Sequence, residues 1–174
     1  AAACGLPFMA APGGEGSDYR KVNRTPVVTD PSTGEEVLVS TAIRPDVALL
    51  HAQMADRRGN LRIDDLYADD LLARASRRVI ATADKIVDRI EDPTISGALV
   101  EAVAEAPGGA FPTTCHRTYR YSLPHLREYV AAASGGRPGD YMKKYVTATR
   151  DHAAFLSAVE SPGGREDAAP RAPA

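Results

Sequence analysis

Apolar positions along this chain come in short runs separated by turn-forming residues, not in one long helical stripe. Val27-Val28-Thr29 is a β-branched run. Asp30-Pro31-Ser32-Thr33-Gly34 follows, with proline restricting φ and glycine supplying a positive one. Glu36-Val37-Leu38-Val39-Ser40 then reads as the returning strand, so the segment predicts a β-hairpin. Residues 1–26, rich in Gly and Pro, carry little periodicity and read as loop. Asp46-Val47-Ala48-Leu49-Leu50-His51-Ala52 is a continuous apolar run after Pro45, the pattern of a strand buried on both faces. Residues 56–60 are a turn.

A helix is expected over about residues 65–77. Asp64, Asp65, Asp69 and Asp70 sit at its start and Arg74, Arg77 and Arg78 at its end, matching the helix dipole. Val79-Ile80-Ala81-Thr82-Ala83 is a second buried strand. Strand, helix and strand in so short a stretch form a βαβ unit, which calls for parallel strands and a right-handed crossover. Residues 85–90 fit a strand or a helix, 98–104 alternate as a strand, and 107–114 are a constrained loop. Pro124 opens a helix carrying Leu126, Tyr129, Val130 and Ala133 and ending at Gly135. Asp140 caps a last helix whose stripe is Tyr141, Tyr145, Ala148, His152, Phe155 and Val159. There is no internal repeat. Residues 1–160 read as one α/β domain and 161–174 as a disordered tail.

Composition narrows the class. At 174 residues, folding buries roughly 70% of the potential surface, enough for a core without staples. The net charge of −2 and pI near 6.1 provide no global positive field for nucleic acid. No window of 18 apolar residues exists to span a membrane as a helix, and the first residues lack the charged and apolar regions of a signal peptide. The chain is therefore expected in the cytoplasm. Cys4 and Cys115 are too few for a disulfide framework or a four-cysteine zinc site, and the four histidines have no paired spacing that suggests a metal.

Candidate chemistry is sparse. Gly13-Gly14-Glu15-Gly16 could cradle a phosphate with its backbone N–H groups or be a plain loop. Cys115-His116 could be a nucleophile and base, or an inert thiol beside a surface imidazole; neighbours in an extended segment point to opposite faces. His51 ends a strand, and open parallel sheets bind ligands outside the carboxyl ends of their strands. It is read either as a site residue or as a hydrogen-bonded structural histidine. His152 reads as helix packing. Glu15, Glu35, Glu101 and Glu105 read as loop, turn or strand residues, not nucleophiles.

Three segments carry a more specific likeness. They are Pro45 to Gln53 with Ala55-Asp56 and Gly59-Asn60; Ala68 to Val87; and Pro107-Gly108-Gly109-Ala110-Phe111-Pro112-Thr113-Thr114-Cys115 followed by Tyr119, His125-Leu126 and Glu128-Tyr129. Upstream, Gly5-Leu6-Pro7-Phe8, Gly16-Ser17-Asp18 and Asp30 to Glu35 follow in the same order. Together they resemble the later part of the alpha subunit of the family I CoA-transferases, glutaconate CoA-transferase-like branch, over about residues 5–146. The resemblance implies the NagB/RpiA/CoA-transferase-like α/β fold, with a mostly parallel sheet, βαβ units and flanking helices. The N-terminal strands are expected to be lacking.

It also implies transfer of CoA from an acyl-CoA to a carboxylic acid through a glutamate on the partner CoA-transferase beta subunit. CoA would be a substrate, with no cofactor. Substrate-side residues implied at the site are His51, Gln53, Asn60, Ala110, Pro112 and Thr113, with no catalytic residue on this chain. Phe111 stands where the family often has histidine, and Ser122-Leu123 where it has an acidic position. Two alternatives go with the same resemblance: a hydrolase of acyl-CoA or cyclic-diketone CoA, and a truncated scaffold without activity.

Overall fold

The computed structural model describes residues 1–11, 13, 18–64 and 68–159. Its elements are β1 (Phe8–Ala10), α1 (Tyr19–Asn23), β2 (Val27–Thr29), β3 (Glu36–Thr41), β4 (Val47–Ala52), β5 (Met54–Asp56), β6 (Leu61–Arg62), α2 (Asp69–Ala75), β7 (Arg78–Ala83), β8 (Ile86–Val87), β9 (Ala102–Glu105), α3 (Leu123–Ser134), α4 (Pro138–Met142) and α5 (His152–Val159). The candidate phosphate cradle at 13–16 (Gly13 apart) and the expected tail at 161–174 lie outside the described residues.

Among the described residues the strands form three small sheets, with orders β1-β3-β2, β4-β7-β9 and β6-β5-β8. The expected hairpin is β2 and β3, paired antiparallel from Val27↔Leu38 to Thr29↔Glu36. Its turn closes on Asp30, whose carboxylate accepts the Ser32 amide at 2.8 Å, while Gly34 takes φ 77° to return the chain. The aperiodic start holds a strand with no signature in the pattern. β1 pairs antiparallel with β3, and three residues of backbone pairing leave no periodicity to detect.

The βαβ unit is present. β4 and β7 pair in parallel over six residues, from Val47↔Arg78 to Ala52↔Ala83, and β9 pairs in parallel with β7 from Ile80↔Ala102 to Ala83↔Glu105. The helix between β4 and β7 starts, among the described residues, at Asp69; its expected first turn at 65–67 lies outside them. It ends at Ala75, short of expectation, because Ser76 turns extended, its hydroxyl bonding the Leu72 carbonyl at 2.7 Å. The Arg77 amide then donates to Pro45 O at the mouth of β4.

One face of this sheet is a core. Ala48, Leu50 and Ala52 of β4 and Val79, Ala81 and Ala83 of β7 pack with Ala55, Leu61, Ile63, Ala73 and Ile95. The other face is open, which corrects the expectation that β4 is buried on both sides. Val47 is 39% exposed and Leu49 74%. Among the described residues nothing packs over Leu49, and a continuous apolar run cannot reveal which face its neighbours cover.

Two further boundaries differ. The run 98–104 begins as a 3-10 turn, Gly97–Leu99, because the Ser96 hydroxyl caps the Ala98 amide and Asn60 Oδ1 accepts the Gly97 amide at 2.9 Å; the strand starts only at Ala102. The expected single helix after Asp140 is broken. α4 starts at Pro138 and continues as a π turn, Lys143–Thr147. The Thr149 hydroxyl then bonds back to the Tyr145 and Val146 carbonyls, both at 3.0 Å, and Asp151 starts a new helix by accepting the Ala154 amide at 2.8 Å. α3 agrees with expectation and is capped by Ser122.

Asp56 pins the turn between β5 and β6. Burial alone would raise its pKa. Four donors outweigh that and hold it at about 2: the Asn60 side chain and the Arg58, Ile90 and Asn60 amides.

Leu49→Lys should move the unfolding free energy of this chain by less than about 0.5 kcal/mol, whereas Leu50→Ala should cost about 2–5 kcal/mol; urea unfolding of both variants checks this. The Asp56 carboxylate is favoured in the folded state. Its stabilisation is therefore complete above the ordinary pKa of 3.8 and is lost as pH falls from there toward about 2. Asp56→Asn should be about 2 kcal/mol less stable at neutral pH, with the gap closing over that acid window, as read from urea midpoints against pH.

Candidate functional site

The three parallel strands finish level, and the chain leaves each of them into one cavity. Gln53 and Met54 follow β4, Asp84 and Lys85 follow β7, and Pro107 and Gly108 follow β9 one residue later. The cavity measures about 580 Å³. Phe111 and the segment Arg117-Thr118-Tyr119 form another wall, and Leu156 and Val159 of α5 close it. α5 is held there by His152, whose Nε2 lies 2.6 Å from Pro107 O, so His152 ties the helix to the loop as well as packing on Phe155.

Gln53 is the polar anchor of the β4 wall. It is 8% exposed, its Nε2 donates to His116 O at 2.9 Å, and its Oε1 accepts the Asp64 amide at 3.1 Å. Asp84 anchors the β7 wall. Its Oδ1 accepts the Gly108 amide at 2.7 Å and lies 3.5 Å from His51 Nε2. On the far side of the ring, His51 Nδ1 is 2.8 Å from Thr82 Oγ1, across the β4–β7 register. His51 thus stands behind Asp84, not on the cavity wall.

The constrained loop reaches the site through residues other than those expected. Pro107, Gly108 and Phe111 line the cavity, whereas Ala110, Pro112 and Thr113 shape the loop. The Ala110 amide donates to Tyr119 Oη at 2.8 Å, Pro112 O accepts the Ser122 amide, and the Thr113 hydroxyl bonds Ala110 O. Asn60 also stands away from the cavity. Its Nδ2 donates to Asp56 and its Oδ1 takes the Gly97 amide, so both ends of its side chain are used inside the fold. Phe111, at the position where the resemblance has histidine, makes that wall apolar and packs its ring 5.4 Å from that of His125. Burial lowers the pKa of His125, which keeps that imidazole neutral in its aromatic surroundings.

Cys115 is buried and its thiol is pushed up to about 12, first by burial and then by the Asp84 carboxylate. His116 is exposed, so the adjacent pair forms no nucleophile and base. Burial likewise raises the Tyr119 phenol. Lys85 and Arg117 are exposed at the cavity rim, and their side chains have no hydrogen-bond or ion-pair partner among the described residues. Arg117 is held at φ 62°, a left-handed conformation that a non-glycine residue seldom takes. No glutamate is among the described residues lining the cavity: Glu101 is paired with Arg78, and Glu105 accepts the Ile86 amide.

Asp84, Lys85, Arg117 and Tyr119 are site residues that the sequence pattern does not single out. Asp84 and Lys85 fall within reach of the rule that points to His51, since they directly follow the second parallel strand. Arg117 and Tyr119 have no local signal.

These features define an α/β protein with a cavity at the carboxyl edge of a parallel sheet. The family model for Coenzyme A transferase matches residues 1–106, and the chain belongs to that family. It is 32% identical to the A subunit of 3-oxoadipate CoA-transferase from Pseudomonas knackmussii, over 91% of this chain and 59% of that one. It is also 32% identical to the A subunit of glutaconate CoA-transferase from Acidaminococcus fermentans, over 90% of this chain and 57% of that one. The crystal structure of the latter enzyme superposes with a TM-score of 0.84 at 27% identity, covering 97% of this chain and 61% of that chain. A variant of the decarboxylase AibA/AibB superposes with a TM-score of 0.79 at 41% identity, covering 84% of this chain and 56% of that chain. The chain thus spans less than two thirds of the length of each of these relatives.

Gly109 tests the geometry behind Asp84. A Cβ there would lie 2.8 Å from Ala106 O and 2.9 Å from His51 Cε1. Gly109→Ala should therefore push the His51 ring off Thr82 and cost about 1–3 kcal/mol. The His51 ring resonances by NMR, with the urea midpoint, check both effects.

Proposed function

We propose that this chain is the substrate-side part of the alpha subunit of a heteromeric CoA-transferase, working in the cytoplasm with a beta subunit. The observation that carries the reading is the cavity itself. It lies at the carboxyl ends of the parallel strands of a CoA-transferase-family fold. Among the described residues it has two unpaired cations at its rim and is lined by no glutamate. In this reading the beta subunit supplies the glutamate. Its carboxylate attacks the thioester carbonyl, the C–S bond breaks, and CoA leaves as the thiolate, giving an acyl-glutamyl anhydride. The thiolate then attacks the glutamyl carbonyl and releases the donor acid. The acceptor acid reverses both steps and departs as the new acyl-CoA.

This chain contributes binding and exclusion of water. Lys85 and Arg117 suit the carboxylates of the donor and acceptor acids, because charge-assisted hydrogen bonds to carboxylate are strong. Met54, Phe111, Leu156 and Val159 make an apolar wall that keeps water from the anhydride. Gln53, fixed at both ends, keeps the β4 wall rigid.

A second reading, as part of a CoA-ester hydrolase, is supported by 28% identity to the cholesterol ring-cleaving hydrolase IpdA subunit of Rhodococcus jostii, over 76% of this chain and 51% of that one. Water would then take the place of the acceptor acid.

The test is co-purification of the chain with a beta subunit of the family, followed by an assay of acyl-CoA formation from a panel of carboxylic acids. Transfer that requires both chains is the expected result. Release of free CoA without an acceptor would replace it with the hydrolase reading, and an assembled but inactive complex would leave a scaffold. In an active complex, Arg117→Ala and Lys85→Ala should each raise KM for the acid about tenfold, the size of one charge-assisted contact, with kcat little changed.

A further inference from the structure

Behind the cavity, three residues far apart in the chain bring metal-ligating atoms together. His51 at the end of β4, Asp84 after β7 and Cys115 in the following loop place an imidazole nitrogen, a carboxylate oxygen and a sulfur within 4.8 Å of one another. We propose that His51, Asp84 and Cys115 form a binding site for a divalent transition-metal ion of the zinc class, with its open coordination position toward the cavity.

The cluster is built, not incidental. His51 Nε2 and Asp84 Oδ2 are both buried without a well-formed hydrogen bond, and the Cys115 thiol and Tyr119 phenol lie close enough to the Asp84 carboxylate for it to raise both. The Asp84 side chain is 10% exposed and the Cys115 residue 5%. Buried polar atoms without partners are rare, because each forfeits its solvation, and they call for a bound species. Thr82 holds His51 by Nδ1 at 2.8 Å. In the tautomer that donates Nδ1–H to Thr82, Nε2 offers its lone pair on the side of Asp84, whose Oδ1 lies 3.5 Å away. In that tautomer a cation between the imidazole and the carboxylate satisfies both. Anchoring of one ring nitrogen by a neighbour is also the arrangement that fixes the tautomer of a metal-bound histidine.

Other contacts hold the remaining donors. The Gly108 amide fixes Asp84 at 2.7 Å, and Gly109 leaves room for the His51 ring where any Cβ would collide with it. The Cys115 backbone is bridged to Tyr119, whose hydroxyl in turn accepts the Ala110 amide.

The donor chemistry selects the ion. One nitrogen, one oxygen and one sulfur suit a borderline-soft ion such as Zn²⁺ or Co²⁺ rather than Mg²⁺ or Ca²⁺, which take oxygen. Zinc bonds of about 2.0–2.3 Å in a tetrahedron separate ligand atoms by roughly 3.3–3.7 Å. The separation of 3.5 Å between His51 Nε2 and Asp84 Oδ1 already meets this, and the sulfur, within 4.8 Å of both, closes on the ion by up to about 1.5 Å. A carboxylate and a thiolate neutralise a divalent charge, which burial requires. The Cys115 thiol proton leaves to solvent as the S–metal bond forms. Three protein ligands leave a fourth position, and Asp84 lies on the cavity wall, so that position can take water or a substrate oxygen.

The experiment uses the full 174-residue chain, freed of metal with a chelator and titrated with Co²⁺ and Zn²⁺. The expected result is one Co²⁺ per chain, with a near-ultraviolet thiolate-to-cobalt charge-transfer band that Zn²⁺ displaces. Cys115→Ala should abolish the band, and Asp84→Asn should weaken Co²⁺ binding at least tenfold. Both variants are to show the parent's circular dichroism, and Cys4→Ser should retain the band. If Cys115→Ala does not fold, His51→Gln replaces it and should weaken binding at least tenfold. The proposal is overturned by absence of one-to-one binding in the folded chain. A band that survives Cys115→Ala, or disappears with Cys4→Ser, also overturns it.

Discussion

The rest of the molecule depends on the parallel ladder between β4 and β7. Six consecutive residue pairs keep the two strands in register, and β9 extends the ladder on the far side of β7. Small side chains make this possible. Ala48, Ala52, Ala81 and Ala83 let the sheet lie close against Leu61, Ile63 and Ile95, where a larger residue would force the layers apart. Because the ladder starts and stops together on both strands, the chain leaves β4 and β7 at the same height. Gln53 and Asp84 are neighbours for that reason alone.

The cavity is a consequence of that level edge. Strand ends release backbone and side chains beyond the last ladder bonds, and the loops must satisfy those groups themselves. Here they do so with a few specific contacts. Gln53 takes a carbonyl and an amide from two different segments, and Asp84 takes the Gly108 amide. The loop after β9 is drawn over the opening by the Ala110 to Tyr119 bond, and α5 is drawn in by His152. Polar contacts therefore set the shape of the site, while Phe111, Leu156 and Val159 set its dryness.

The same sheet is asymmetric. One face is sealed by a core containing Leu61 and Ile95, and the other presents Leu49 to solvent. Parallel sheets in α/β proteins are normally covered on both faces. The relatives are longer than this chain, and the stretch matched here accounts for 59% and 57% of two of them. The exposed face is a property of this chain's described residues.

Much is decided locally and can be read along the chain. The hairpin around Asp30 to Gly34, the pair of strands joined by α2, the turn at Asp56 to Asn60 and the helix opened by Pro124 rest on turn chemistry, caps and apolar runs within a few residues of each other. The ordered likeness to the alpha subunits of CoA-transferases is legible for the same reason: its motifs are local. What only the tertiary structure decided is which side chains meet. His51 and Gln53 are legible because they end a strand, but nothing local tells Asn60 that its side-chain oxygen will be taken by the Gly97 amide. No spacing brings Cys115 to Asp84, or sets Arg117 and Lys85 on the rim of one cavity. Those encounters depend on strand register and on how loops fold over the sheet edge, and both are set by long-range backbone pairing and burial rather than by any residue's own neighbours.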